Sequence, residues 1–275
     1  MNILVLRSYG DYIVLLNAIK YSSETQPIKI IVSAHLKPLH DALNIDFPIN
    51  YKFEFINFNI SKGILGVFTN KFLFSLSSIK ELLILRKYLK NNNVDNYFLE
   101  QNKRNLLLKI FTGYNFNYIF RQKNIYDNYI SFFKSINTTH IVHLISNNSK
   151  VLIFPDSRKI EKKINSKTLF NLIDILEAKG IDYTIANYNT KLILNNSFSK
   201  NIVYTNFEEL VGLIKSFDFI ISSDSLPVHI SEVLNKPHWI LYNKKINRDW
   251  LTPFSKNAKF YSTFNQVNLL QLIFN

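Results

Sequence analysis

The segment SNNSKVLIFPD, residues 146–156, decides how the chain is read. Five polar, turn-prone residues lead into four consecutive apolar ones, Val151-Leu152-Ile153-Phe154, and Pro155 ends the run. A short apolar run bounded by turn signals reads as a buried strand. The same arrangement opens the chain. Ile3-Leu4-Val5-Leu6 is broken at Ser8-Tyr9-Gly10-Asp11 and followed by an apolar stretch, Ile13 to Ile19, long enough for a buried helix. The pattern starts twice, which puts a domain boundary between residues 146 and 147.

Working outward from the restart, strands are expected at 28–32, 53–58, 95–99 and 118–120, with helices at 36–43, 79–89, 105–111 and 126–145. Beyond it, helices at 166–178, 207–215 and 228–234 alternate with strands at 183–186, 202–204, 217–221 and 238–242, and 267–274 reads as a last helix. Lys179-Gly180 supplies a left-handed helix cap. Strands separated by helices of this length imply parallel sheets covered on both faces. The expected fold is α/β, with two Rossmann-like, doubly wound domains at 1–146 and 147–275 facing each other across a cleft. The last helix is expected to return to the first domain.

Composition narrows the function classes. The chain has 275 residues, 47% of them hydrophobic and 19% charged, with 23 Phe and 15 Tyr, so it has ample material for a core and is not a disordered chain. Without cysteine there are no disulfides, thiolate metal sites or cysteine nucleophiles. The first dozen residues, broken by Arg7, Gly10 and Asp11, lack the apolar core of a signal peptide, and no apolar run approaches the roughly 18–20 residues of a membrane span. A cytoplasmic protein is the expectation. The net charge of +13 invites a nucleic-acid reading, yet 27 of the 33 basic residues are lysine. The excess is spread over both halves, +8 in residues 1–146 and +5 in 147–275, with no arginine block, zinc-finger spacing or RNP-like aromatic motif. No nucleic-acid partner is expected. A diffusely basic surface suits anionic ligands or an anionic membrane face, so peripheral association with the inner face of the cytoplasmic membrane is an expectation.

Parallel sheets of this kind bind ligands beyond the carboxyl ends of strands, where strand order reverses. Three polar loops fall there. In Arg7-Ser8-Tyr9-Gly10-Asp11, Gly10 permits a tight turn and Asp11 enters a helix's first turn, where the positive dipole end favours a carboxylate. From the sequence alone Asp11 reads first as an ordinary helix cap and second as a general base. In Ser222-Ser223-Asp224-Ser225-Leu226-Pro227-Val228-His229, a strand runs into a helix whose first turn accepts proline. The amides at that start, with the Ser223 and Ser225 hydroxyls, would suit a phosphate, and His229 lies one turn beyond Ser225 on the same face. A hydrolase triad fits poorly: Asp224, Ser225 and His229 crowd into six residues with no G-x-S-x-G elbow. The third loop, residues 155–166, places Arg158, Lys159, Lys162 and Lys163 ahead of a helix, where they would neutralise a diphosphate or form a solvated charge run.

Taken in order, these loops resemble glycosyltransferase family 9, the lipopolysaccharide heptosyltransferases of GT-B fold. Gly10-Asp11 is similar to the Gly-Asp pair that ends the family's first turn. VDNYFLEQNKRNLLLKIFTG, residues 94–113, is similar to a strand leading into a short helix, with Lys103 and Arg104 in the basic positions. FPDSRKIEKKINSKTLFNLIDILEAKG is similar to the opening of the second domain. Counting back from Phe170 and Gly180 assigns the family lysine to Lys163, or to Lys162 with a shift of one. SSDSLPVHISEVLNKPHWILY resembles the helix start with its histidine and the strand that follows. The sequence departs from the family at Leu226, where glycine is usual, and at residues 243–248, which replace a glycine-proline-rich loop but keep Trp250 and Pro253.

The resemblance implies inverting transfer of heptose or a related sugar from a nucleotide-diphosphate sugar to a saccharide or lipid-linked saccharide of a surface glycan, without metal or cofactor. Asp11 would be the base. Lys163 or Lys162, Ser223, Asp224, Ser225, Leu226 and His229 would bind the donor; Arg7, Gly10, Lys103 and Arg104 would meet the acceptor. Two other readings share these residues: a sugar-nucleotide epimerase of the same fold, and a non-catalytic member that only binds nucleotide or glycan.

Overall fold

The computed structural model describes residues 1–6, 8–57, 76–92, 96–101, 103–120, 122–135, 149–189, 200–243 and 248–273. The chain divides into two units, Met1–Asn137 and Thr138–Asn275. The boundary expected between 146 and 147 lies outside the described residues.

In the first unit, β1 (Asn2–Val5), β2 (Ile28–Ser33), β3 (Tyr51–Ile56), β4 (Tyr97–Glu100) and β5 (Asn117–Ile119) form a wholly parallel sheet in the order β3-β2-β1-β4-β5. The connecting helices are α1 (Tyr9–Lys20), α2 (Lys37–Leu43), α3 (Leu76–Asn91), α4 (Lys103–Thr112) and α5 (Ile125–Phe133). Successive strand residues face opposite sides. Leu4 and Leu99 join a core with Leu82, Leu85 and Leu89 of α3 and Leu108 of α4, while Phe98 meets the Phe132 ring of α5. Helix α5 packs on α1, which is buried from Tyr12 to Ile19, as its nearly unbroken apolar sequence requires.

The second unit repeats the scheme with β6 (Val151–Phe154), β7 (Tyr183–Tyr188), β8 (Lys200–Tyr204), β9 (Phe219–Ser223), β10 (His238–Tyr242) and β11 (Tyr261–Thr263). These are parallel in the order β11-β10-β9-β6-β7-β8. Its helices are α6 (Ser166–Ala178), α7 (Phe207–Ser216), α8 (Leu226–Val233) and α9 (Pro253–Ala258). All four residues of β6 are buried, which is why the run reads as unbroken apolar sequence rather than an alternating one. Both sheets have the doubly wound order, so strand direction of travel reverses at β1/β4 and at β6/β9.

Several expected boundaries move. The helix expected over 126–145 ends at Phe133, because Lys134 turns left-handed (φ 51°) and the Ser135 amide closes back on the Ile130 carbonyl; residues 136–145 lie outside the described set. The strand expected at 53–58 is displaced to Tyr51–Ile56, paired with the whole of β2. Gly180 caps α6 as expected, at φ 65°. The tail expected to return to the first domain is a 3-10 segment, Phe264–Ile273, that puts Val267 and Leu270 into the core under α6. Strand β11 and helix α9 carried too short a pattern to be expected at all.

Candidate active site

At the β6/β9 reversal the register sets Phe154 beside Ser222, so the segments after the two strands run out side by side. The Ser223 hydroxyl donates to the Asp156 carbonyl across them (3.3 Å). Helix α8 begins at Leu226, with Pro227 in its first turn. Its cap residue, Ser225, is extended (φ −149°, ψ 176°), but its hydroxyl does not cap the helix. It lies 3.1 Å from the Ser222 hydroxyl and donates to the Ser223 carbonyl at 3.3 Å.

Asp224, only 7% exposed, is the centre of this loop. Its carboxylate accepts from the Lys162 ammonium at 2.5 Å and lies 3.7 Å from Nε2 of the buried His229. Burial opposes ionisation of Asp224; the His229 and Lys162 contacts outweigh it and hold the carboxyl below its ordinary value. Trp250 lines the same group. Its ring lies 5.8 Å from the Lys162 ammonium and edge-on to His229 at 6.4 Å between centroids. Lys163 points elsewhere: its ammonium donates to Asp156 at 2.9 Å in a more exposed pair. Counting favours Lys163 and allows Lys162 with a shift of one; the ammonium beside the start of α8 is that of Lys162. The short 3-10 turn Ile160–Lys162 sets that direction.

At the β1/β4 reversal, the turn into α1 is made by extended Ser8 (φ −110°, ψ 137°), whose hydroxyl accepts from the Asp11 amide at 3.3 Å. Gly10 is already helical, and a Cβ there would meet only the Ser8 hydroxyl at 3.7 Å. The tight turn expected of Gly10 is thus not its task; the residue leaves the first turn of α1 uncovered instead. Asp11 is half-buried in that turn. Opposite it, Glu100 ends β4 and accepts from the Asn128 side chain at 3.3 Å. Burial first, and then the charges of Glu100 and Asp11, push the Tyr129 hydroxyl well above its ordinary pKa, so both carboxylates bear on one buried phenol of α5. Arg7 lies outside the described residues. Lys103 and Arg104 open α4, with side chains outside the described set.

Sequence reasoning missed Asp156 and Glu100 as partners in these sites and gave Trp250 no role. The signal was available for the two acids, since each stands at or just past the end of a strand that flanks a reversal.

Two Rossmann-like units, each with a polar cluster at its strand reversal, have the architecture of the GT-B fold. The model of glycosyltransferase family 9 (heptosyltransferase) matches residues 103–269, more than half of the sequence, and the chain belongs to that family. Among solved structures, the fold is similar to E. coli heptosyltransferase WaaC with ADP, at a TM-score of 0.62 and 13% identity over 99% of this chain and 98% of that one. It is also similar to E. coli ADP-heptose LPS heptosyltransferase II (0.57, 15%, 99% of each chain). A family 9 glycosyl transferase from Veillonella parvula gives 0.62 and 13% over 95% of this chain and 85% of that one. No curated protein matches the sequence. No described helix is long and apolar enough to cross a membrane.

Proposed function

We propose that the chain transfers heptose or a related sugar, with inversion, from a nucleotide-diphosphate sugar to a hydroxyl of a saccharide or lipid-linked saccharide acceptor in surface-glycan synthesis. The observation that carries this reading is the gathering of Lys162, Asp224, His229 and Trp250 at the start of α8. There a cation and an imidazole, both held by Asp224, stand beside a helix N-terminus, a setting that suits one anionic ligand. ADP and ADP-heptose, named with the structures of similar fold, are the first donors to test.

In this scheme Asp11 accepts the proton of the acceptor hydroxyl as its oxygen attacks the anomeric carbon from the side opposite the diphosphate. The bond from that carbon to the diphosphate oxygen breaks, and the electron pair leaves with the phosphate. Lys162 and the first amides of α8 stabilise the developing charge, with His229 as a further donor. Asp224 holds Lys162 and His229 in place before the donor arrives. In this scheme these groups take the part a divalent cation plays elsewhere. The acceptor falls to Gly10, Arg7, Lys103 and Arg104.

Calorimetry with ADP, ADP-heptose and the corresponding uridine and guanosine compounds tests the donor half of the scheme. Binding of none of them overturns it. Asp11→Asn tests the other half: transfer is lost while donor affinity stays within about twofold of the wild type, as expected of a group that acts in the transition state. Loss of both together would make Asp11 a structural cap.

A further inference from the structure

Glu232 and His238 are an ionisable pair that the transfer scheme does not use. Both are buried, at 1% and 0% exposure, where a polar group without partners is costly. Nε2 of His238 lies 3.7 Å from Glu232 Oε2 and 2.6 Å from the Thr252 hydroxyl. Its Nδ1 donates to the Lys236 carbonyl at 2.8 Å, since a carbonyl can only accept. Glu232 Oε2 also accepts from the Phe254 amide at 3.1 Å, and the Thr252 hydroxyl accepts from the Ser255 amide at 3.1 Å. The first turn of α9 is thus held from α8 and from β10 together. Leu251, just before Thr252, packs with Val228 of α8 and Ile240 of β10. Trp250 precedes it, against Lys162 and His229.

We propose that Glu232 and His238 are positioning residues, which set the Trp250 ring against the donor cluster by anchoring the segment 250–255. A buried ionisable pair is often no better for stability than apolar side chains of the same volume. What this one adds is a fixed direction, because its hydrogen bonds are satisfied together in one arrangement of the segment. The apolar contacts of Leu251 alone are less selective. Glu232 also stands three residues beyond His229, so one helix carries both the imidazole that Trp250 meets and the carboxyl group that holds the segment in place. The indole in turn bounds Lys162, whose ammonium the donor reading assigns to the diphosphate. That last step rests on the donor reading; the anchoring of Trp250 does not.

The test uses the full chain with Trp239→Phe, which leaves Trp250 as the single tryptophan. Its emission and its quenching by acrylamide are read without ligand, and ADP affinity by calorimetry, all well below the melting temperature. Glu232→Ala and Thr252→Val should each shift Trp250 emission to longer wavelength and raise quenching. They should weaken ADP binding about three- to thirtyfold, the range for residues that act on a site without touching its ligand. Glu232→Gln keeps an acceptor for the Phe254 amide and Thr252→Ser keeps the hydroxyl, so both should match the parent in emission and stay within about twofold in affinity. Leu172→Ala, at a buried position of α6 outside these hydrogen bonds, is the control for lost stability alone and should match the parent in both readouts. If Trp239→Phe does not fold, the same variants in the wild type, with the Trp250→Phe spectrum as baseline, give the same reading. The proposal is overturned if Glu232→Ala and Thr252→Val keep the parent's emission and quenching. It is equally overturned if Glu232→Gln and Thr252→Ser change as much as that pair, or if Leu172→Ala does. A change in emission with ADP affinity intact overturns the step from Trp250 to Lys162. Failure of the parent itself to bind ADP overturns the donor reading instead, and the emission readings still decide the anchoring.

Discussion

Lys162 and Lys163 are neighbours in sequence with different surroundings. The first is largely buried between Asp224 and Trp250; the second forms a surface pair with Asp156. A charge-assisted hydrogen bond to a phosphate is worth about 1.5–3 kcal/mol, whereas an exposed ion pair contributes about 0–1 kcal/mol. Lys162→Ala should therefore weaken ADP binding about ten- to a hundredfold by calorimetry, and Lys163→Ala less than about fivefold. The reverse order would return the donor lysine to position 163. Asp224 gives a stability prediction at the same site. Its folded pKa lies below the ordinary 3.8, so the unfolded chain takes up the proton first as pH falls. The contribution is complete above the unfolded value and is lost on falling through the folded one. The gap in melting temperature between wild type and Asp224→Asn should be flat from about pH 5 to about pH 8 and should close below about pH 4. Counting along the sequence favoured Lys163 and allowed Lys162 only with a shift of one, because the two are told apart by the 3-10 turn at Ile160–Lys162, and a three-residue turn has no period to read.

Gly180 and Gly10 show how differently one residue type serves two helices. Gly180 ends α6 at φ 65°, a conformation costing an L-residue about 1–2 kcal/mol, so Gly180→Ala should lower the melting temperature by about 3–6 °C. Gly10 sits within α1, where alanine is favoured over glycine by about 1 kcal/mol and its methyl group meets only Ser8. Gly10→Ala should leave the melting temperature unchanged or raised, and a fall in transfer without a fall in stability would mark the open first turn as the path of the acceptor. The cap at Lys179-Gly180 was legible because a glycine following a periodic apolar stretch has one common structural reason. Gly10 was misread as a turn because strand, glycine and helix follow one another so closely there; the turn belongs to Ser8. The long strands and helices were legible for the same reason as the Gly180 cap: buried elements repeat a pattern over many residues. The end of α5 was not, since apolar residues continue past Lys134 while hydrogen bonds from Ser135 to Ile130 and Ala18 close the helix.

The restart at Val151 makes a statement about the molecule as a whole: its second half is complete in itself. Residues 138–275 hold a six-stranded parallel sheet in doubly wound order, and its core is drawn from residues 151 to 270. Lys162, Ser223, Asp224, Ser225, Leu226, His229 and Trp250, the groups assigned to the donor, all belong to it. A domain of this length buries about two-thirds of its unfolded surface, enough to fold without disulfide or metal. Expressed alone, residues 138–275 should unfold in one cooperative transition and bind ADP within about tenfold of the full chain. They should transfer no sugar, since Asp11 is missing. Leu172→Ala, at a fully buried position of α6, should cost the fragment about 2–5 kcal/mol and lower its melting temperature, giving the transition a molecular assignment. A fragment that folds but does not bind ADP would move part of the donor site into the first unit. Agreement of the two experiments would assign the nucleotide to the second unit and leave the seventeen basic residues of 1–146 to anionic partners other than the donor.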